Sequence, residues 1–280
     1  MPRVALRSGR AHTRDMEHDQ VAAVAGRFSE DAPLYERYWA ASMARLGQRL
    51  LAGLPVEDAS VAIDIGAGVG ALLPAIRRAA PRAFVAGVDA AEGMIRRAPR
   101  GLARAVMDAG RLSLKDASVD VAVMPFMLFF LPDPPRGLAE AHRVLRPGGG
   151  LGVATWHAEG NDFRADELWA SLLDEYGAAS DPAPWGVSLM NTPEKLSALL
   201  EDAGFQDVRT TTDREPEPLT LEDFLEVRTR IGRSKRRFES LAPDMHTEVL
   251  AKARERLREL PPEAFTDPQV ALFAWGTRTD

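Results

Sequence analysis

The segment Val61-Ala62-Ile63-Asp64-Ile65 runs directly into Gly66-Ala67-Gly68-Val69-Gly70, and this junction limits the folds open to the chain more than any other feature. The apolar run reads as a buried strand. Glycines at alternate positions let the backbone turn sharply and let a ligand approach the main chain, while free N–H groups at the start of a following helix favour a negatively charged group. With Ala71 the same residues also satisfy the Gly-x-Gly-x-x-Gly/Ala dinucleotide pattern, which keeps a nicotinamide or flavin enzyme open. The junction points to a nucleotide-type ligand at a strand end; a tight turn without ligand is the bland alternative.

The surrounding pattern supports an α/β architecture. After 61–65, aliphatic runs recur at 83–88, 103–106, 119–124 and 151–156, with helical stretches between them. Such alternation predicts a doubly wound parallel sheet covered by helices on both faces, because each right-handed crossover needs a helix to return the chain. Upstream, Phe28, Leu34, Tyr35, Tyr38, Trp39, Met43 and Leu46 recur at three- and four-residue steps and predict a helix over 21–54. Pro134 and Pro135 open another helix that ends at Pro147 and Gly148–Gly150, and Thr192-Pro193-Glu194 caps a third that stops at Gly204. Strands are predicted at 208–212 and 270–277. Between them, 219–265 reads as a charged amphipathic block opened by Thr220 and Asp223. The resulting division is a disordered leader over 1–20, an N-terminal helical cap over 21–58, a core over 59–213 and 269–280, and a helical lid over 214–268.

Composition removes several classes of function. With no cysteine there is no disulfide, thiolate nucleophile or Cys-bound metal. A net charge of −6 opposes a polyanionic partner, so nucleic acid is not expected. The 35 basic residues comprise 31 Arg and 4 Lys, an imbalance that fits a GC-rich genome, and scattered arginines carry little signal. No run is long and apolar enough to span a membrane, and the expected location is cytoplasmic. The Arg-rich first 14 residues lack the apolar region of a secretory signal. No cluster of His and carboxylates is spaced as metal ligands.

Three acids sharpen the ligand. Asp89 falls after the second strand, 19 residues past Gly70, where a carboxylate accepts both hydroxyls of a ribose. Asp108 follows the third strand and suits an exocyclic adenine amine. Asp64 lies within the first strand, where an ionised carboxylate is costly unless it meets donors or a cation. Dinucleotide sites usually have an apolar residue there.

With the turn, Asp89, Asp108 and the runs Leu131-Pro132-Asp133-Pro134 and Arg143-Val144-Leu145-Arg146-Pro147-Gly148-Gly149, the chain resembles the class I S-adenosylmethionine-dependent methyltransferases. It is most similar to their bacterial small-molecule group, which includes the ubiquinone and menaquinone methyltransferases. The resemblance covers about residues 21–156 well and 190–213 more loosely. It implies a Rossmann-like seven-stranded sheet with an antiparallel last strand at 270–277, S-adenosylmethionine as cofactor and S-adenosylhomocysteine as product. It also implies that Gly66, Ala67 and Gly68 pack against the cofactor's methionine, with Asp64 near its ammonium and Asp89 on the ribose. Ala90 and Met94 would flank the adenine, with Asp108 and the Ala109 backbone on its polar edge and Met124 and Phe126 closing the sulfonium side. Tyr35 matches an aromatic position that covers the cofactor in relatives, and is equally readable as a core or surface aromatic.

Methyl transfer from a sulfonium is an in-line displacement that needs positioning and exclusion of water more than a nucleophile. Where the acceptor is a hydroxyl or an acidic carbon, a base helps, and His157, after the fifth strand, is the candidate; a solvated or structural histidine is the alternative. Many relatives have one or two histidines where this chain has Phe129 and Phe130. Those rings, with Trp156 and Trp185, would make an apolar pocket for a bulky small molecule, either a natural product or a quinone-like compound. The expected function is therefore methyl transfer to its oxygen or carbon. Cyclisation on the same fold is the alternative, followed by a nicotinamide oxidoreductase and a non-catalytic ligand-binding protein. The basic run Arg228, Arg230, Arg233, Lys235, Arg236 and Arg237 either recognises an anionic group or is a solvated helix face.

Overall fold

In the computed structural model, which describes residues 8–181, 184 and 186–280, with side chains from 19 onward, the alternating runs fold as anticipated. Strands β1 (Val61–Ile65), β2 (Phe84–Asp89), β3 (Ala103–Val106), β4 (Val119–Pro125) and β5 (Leu145–Trp156) are parallel neighbours. They alternate with helices α3 (Leu73–Ala79), α4 (Glu92–Ile95) and α5 (Pro134–Val144). Past β5 come α6 (Arg164–Glu175), α7 (Pro193–Asp202), β6 (Gln206–Arg214) and, at the C-terminal end, β9 (Val270–Thr277). The seven-stranded sheet has the order β3-β2-β1-β4-β5-β9-β6, and β9 runs antiparallel to both neighbours. β1 and β4 are almost fully buried, as expected for central strands covered on both faces.

Helix ends follow their local chemistry. Asp133 caps α5 by accepting from the Arg136 N–H at 3.2 Å, with Pro134 at the first helical position. Thr192 does the same for α7. The far end of α5 is held from a distance, because Arg278, just past β9, donates to the carbonyls of His142, Arg143 and Leu145.

The N-terminal helix departs from expectation. The predicted helix over 21–54 is two, α1 (Ser8–Tyr38) and α2 (Ala40–Leu51), with the break at Trp39. Residues 1–7 of the expected leader lie outside the described residues, and those from Ser8 are continuous with α1. Pro33 sits inside α1. Having no N–H, it leaves the Ser29 carbonyl without its intrahelical donor. At that same turn α1 meets α4: Gly93 donates its N–H to Ser29 Oγ at 3.1 Å, and a Cβ on Gly93 would lie 2.7 Å from the Ser29 carbonyl oxygen. Only glycine fits that approach.

The block over 214–268 contains β7 (Glu217–Pro218), α8 (Leu221–Arg230), α9 (Gly232–Glu239), α10 (His246–Leu257) and β8 (Thr266–Asp267). β7 and β8 pair as a short antiparallel ribbon. Phe224, Phe238, Val249 and Leu257 from this block close with Trp169 and Leu172 of α6 into an apolar cluster distinct from the sheet core. The block thus packs as one unit with a helix from the segment after β5. Thr220 caps α8 as anticipated, accepting the Asp223 N–H at 3.1 Å.

The basic run on α8 and α9 is engaged in ion pairs and hydrogen bonds, with Arg230 and Arg233 exposed to solvent. Arg228 pairs with Asp166 and lies over the rings of Phe163 and Phe224. Arg236 pairs with Asp181, Arg237 with Asp174 and Arg230 with Glu226, and Arg233 donates to the Asp181 carbonyl. Lys235 pairs with Asp31 of α1. Apart from Arg230, whose partner is one helical turn away, these cations tie the block over 214–268 to α6, to Asp181 and to α1, and their partners are invisible to local sequence because they lie more than 50 residues away. Among the described residues no helix is long and apolar enough to cross a membrane.

Candidate active site

The turn after β1 has the conformation its glycines allow, with φ of +76°, +55° and +70° at Gly66, Gly68 and Gly70. A side chain at any of them would be strained. The N–H groups of Gly66 and Ala67 both point to the Val88 carbonyl at the end of β2, fixing the turn to the neighbouring strand. Asp89 completes the attachment: one carboxylate oxygen accepts from Gly68 N–H at 2.8 Å and the other from Ala91 N–H at 2.7 Å. Burial pushes the Asp89 carboxyl above its ordinary value, and these two hydrogen bonds oppose that rise.

Asp64 is 1% exposed, and its Oδ1 has no hydrogen-bond partner. Burial, reinforced by the negative charge of Asp89, pushes its carboxyl up to about 8. Tyr35 descends from α1 onto this pair. Its ring lies 3.9 Å from the point a Cβ on Gly68 would occupy, and Met94 reaches the same point at 3.3 Å. Burial and the charges of Asp89 and Asp64 raise the Tyr35 hydroxyl above its usual value. Asp64, Gly68, Asp89, Met94 and Tyr35 therefore share one locus at the open end of β1 and β2. Ala90 and Gly66 through Ala67 border it by position in the chain.

Asp108 and Ala109 lie past the neighbouring strand β3. Asp108 closes its own turn by accepting the Gly110 N–H at 2.8 Å, and Ala109 is buried. On the other side of β1, the chain leaves β4 through Phe126, a non-glycine residue at φ +55° whose ring lies 4.5 Å from that of Trp156. The left-handed turn costs roughly 1–2 kcal/mol and is held by the Phe126 N–H donating to the Ala154 carbonyl. Its effect is to bring Met127 against the glycine turn, so close that a Cβ on Gly66 would lie 2.5 Å from Met127 Cβ. Met124, expected at this wall, is instead fully buried, with its Cε 3.8 Å from a Cβ position on Gly137 of α5. Met127 was not singled out from sequence; its place depends on the turn at Phe126.

Beyond Met127 the rings continue. Phe129 and Phe130 are 4.6 Å apart, and Phe130 meets Phe28 of α1 edge-on at 5.0 Å. Phe28 leads to Tyr35 and Tyr35 to Trp39, each edge-on. Trp185 lies outside the described residues. His157 follows Trp156 at the end of β5, where its Nδ1 accepts the Glu159 N–H at 3.0 Å. The same Nδ1 lies 3.2 Å from the Glu159 carbonyl, so the loop can hold either tautomer. No group of three or more potential metal ligands occurs among the described residues.

The residues present fit an adenosyl sulfonium. A buried carboxylate with an unpartnered oxygen suits the ammonium of its methionine, the glycine turn admits the methionine backbone, and Asp89 beside the turn is an acceptor of the kind a ribose needs. A glycine turn, paired acids and a seven-stranded sheet with one antiparallel strand define a Rossmann-like methyltransferase class. Comparisons agree. The family described as "Methyltransferase domain" matches residues 63–153. Malonyl-[acyl-carrier protein] O-methyltransferase of Geobacter sulfurreducens is 32% identical over 202 residues, covering 68% of this chain and 72% of that protein. Aklanonic acid methyltransferase of Streptomyces sp. strain C5 is 28% identical, covering 67% and 93%. Against several other relatives the chain spans only 35% to 51% of their length. Among solved structures, a methyltransferase from an antibiotic biosynthesis pathway in Anabaena variabilis shares the fold with a TM-score of 0.57 at 18% identity, covering 83% of this chain and 96% of that one. The chain belongs to the class I S-adenosylmethionine-dependent methyltransferases, and its cofactor is S-adenosylmethionine.

Proposed function

We propose that the enzyme transfers a methyl group to an oxygen or carbon atom of a bulky, largely apolar small molecule such as a natural product or quinone-like compound, in the cytoplasm and without a nucleic acid partner. The observation that carries this reading is the run of rings Phe28, Phe130 and Phe129, with Phe126 and Trp156 alongside, next to Met127 and the glycine turn. Similarity to one protein named as an O-methyltransferase and another named for an acid supports oxygen as the acceptor atom.

The bound cofactor supplies an electrophilic methyl carbon on a sulfonium. Asp64 holds the ammonium, Asp89 the ribose, Met94 and Ala90 the adenine faces, and Asp108 with the Ala109 backbone its polar edge. Tyr35 covers the turn. Met127 and Phe126 bound the reacting end, and the aromatic wall orients the acceptor and excludes water, which is the main contribution an in-line displacement asks of a protein. His157 is the candidate base for a hydroxyl or carbon acid. An acidic acceptor, ionised at neutral pH, needs no base.

Incubation with S-adenosylmethionine and a panel of aromatic hydroxy and carboxylic acceptors, read by mass spectrometry, tests the proposal. Product one methyl heavier supports it. The alternative, cyclisation with the cofactor as an electrostatic element, is favoured by an isomer of unchanged mass. His157→Ala with a hydroxyl acceptor tests the base, whose loss costs roughly 100- to 10,000-fold in turnover.

A further inference from the structure

Helix α1 is held on two sides. Toward the core, Ser29 receives Gly93, Glu36 pairs with Arg97, and Tyr35 lies over Gly68. Ala32 on the same helix is buried in an apolar cluster with Val69, Ala91 and Met94, which flank the glycine turn and α4. Toward the lid, Asp31 Oδ1 meets Lys235 Nζ of α9 at 2.8 Å, and Asp31 Oδ2 faces the Gly232 N–H at 3.5 Å. The Asp31 side chain is 12% exposed and that of Lys235 24%, so water screens this pair far less than the ion pairs on the surface. Trp39, just past α1, lies against the first residue of α9, so that a Cβ on Gly232 would be 3.0 Å from its ring. Asp31 and Tyr35 are four residues apart, one turn of the same helix.

We infer that Lys235 is a positioning residue for the cofactor: through its ion pair with Asp31 it fixes α1, and with it Tyr35, over the Gly66–Gly70 turn, linking the position of the lid to retention of the cofactor. The inference rests on the turn being the S-adenosylmethionine site. Loss of Lys235 leaves a largely buried carboxylate at the inner face of α1 with only the long Gly232 N–H contact, and the relief available is movement of that helix away from α9. Because the lid and the cofactor cover are then two ends of one connection, a change that displaces α9 loosens the cofactor, and an occupied turn holds α9 in place.

Stopped-flow displacement of S-adenosylhomocysteine from the full-length protein tests this. Wild-type binding is established first by calorimetry; failure there removes the cofactor assignment itself and is seen before any variant is made. With binding in hand, Lys235→Met and Asp31→Asn each should weaken affinity by roughly 5- to 150-fold, the usual range for coupled sites, read mainly as faster dissociation. Lys235→Arg should retain near wild-type release, and the exchange Asp31→Lys with Lys235→Asp should recover most of it. Release at the wild-type rate in both single variants overturns the proposal. So does Lys235→Arg releasing as fast as Lys235→Met. Thermal melting and far-ultraviolet circular dichroism identify a variant that has lost its fold, and if the exchange pair is one, the Lys235→Arg comparison decides.

Discussion

Gly68 donates its backbone N–H to the carboxylate of Asp89 at 2.8 Å, so the acid at the end of β2 also braces the glycine turn at the end of β1. One side chain thereby serves ligand and scaffold together. Asp89→Ala removes the ribose acceptor and strands the N–H groups of Gly68 and Ala91. Calorimetry should show S-adenosylhomocysteine binding weakened by about 1.5–3 kcal/mol, or roughly 10- to 150-fold. Asp89→Asn retains one oxygen acceptor and should lose less. Equal affinity in wild type and Asp89→Ala contradicts the assignment.

Asp64 should make both stability and cofactor affinity depend on pH. Its carboxyl lies at 3.8 in an unfolded chain and about 8 in the folded one. The group is protonated in both states at low pH, so stability of the ligand-free protein falls as pH rises between about 4 and about 8 and levels off above that. A cofactor ammonium favours the ionised form, so binding below pH 8 expels a proton. The dissociation constant for S-adenosylhomocysteine should decrease with rising pH, by at most about tenfold per unit, up to that point. Titration calorimetry in two buffers of different ionisation enthalpy measures the released proton, and Asp64→Asn should abolish the dependence.

Gly93 makes a prediction about a residue that touches no ligand. Gly93→Val forces a side chain into the Ser29 backbone and should destabilise the protein by about 1–3 kcal/mol. Since the same contact seats α1, hydrogen exchange should show faster exchange along that helix, together with weaker S-adenosylhomocysteine binding. Protection of α1 unchanged from wild type contradicts this account of how the cap is held.

Phe130 separates acceptor from cofactor. Replacing it with Ala removes the ring that meets both Phe28 and Phe129. For an apolar acceptor KM should rise roughly tenfold or more, while S-adenosylhomocysteine affinity stays within about twofold. A change in cofactor affinity with KM intact would place this ring on the wrong side of the sulfonium.

The parts legible in sequence are those written in neighbouring residues. The strand-to-glycine junction, the acids at successive strand ends, and the caps at Thr192 and Thr220 each depend on a few adjacent positions whose backbone requirements are local. They pointed to the sheet class and, through the family resemblance they carry, to the cofactor. The helix break at Trp39 escaped because the apolar spacing continues through it on both sides.

Other features were decided by tertiary structure. Met127 rather than Met124 faces the turn because one left-handed residue, Phe126, redirects the chain after β4. Arg228, Lys235, Arg236 and Arg237 of the basic run found acids from distant segments, Asp31 from 204 residues away. Asp64 is buried because β1 lies between β2 and β4 in the folded sheet. Local sequence specifies backbone conformation and burial tendency, whereas partner choice and desolvation depend on which remote surfaces the folded sheet brings together.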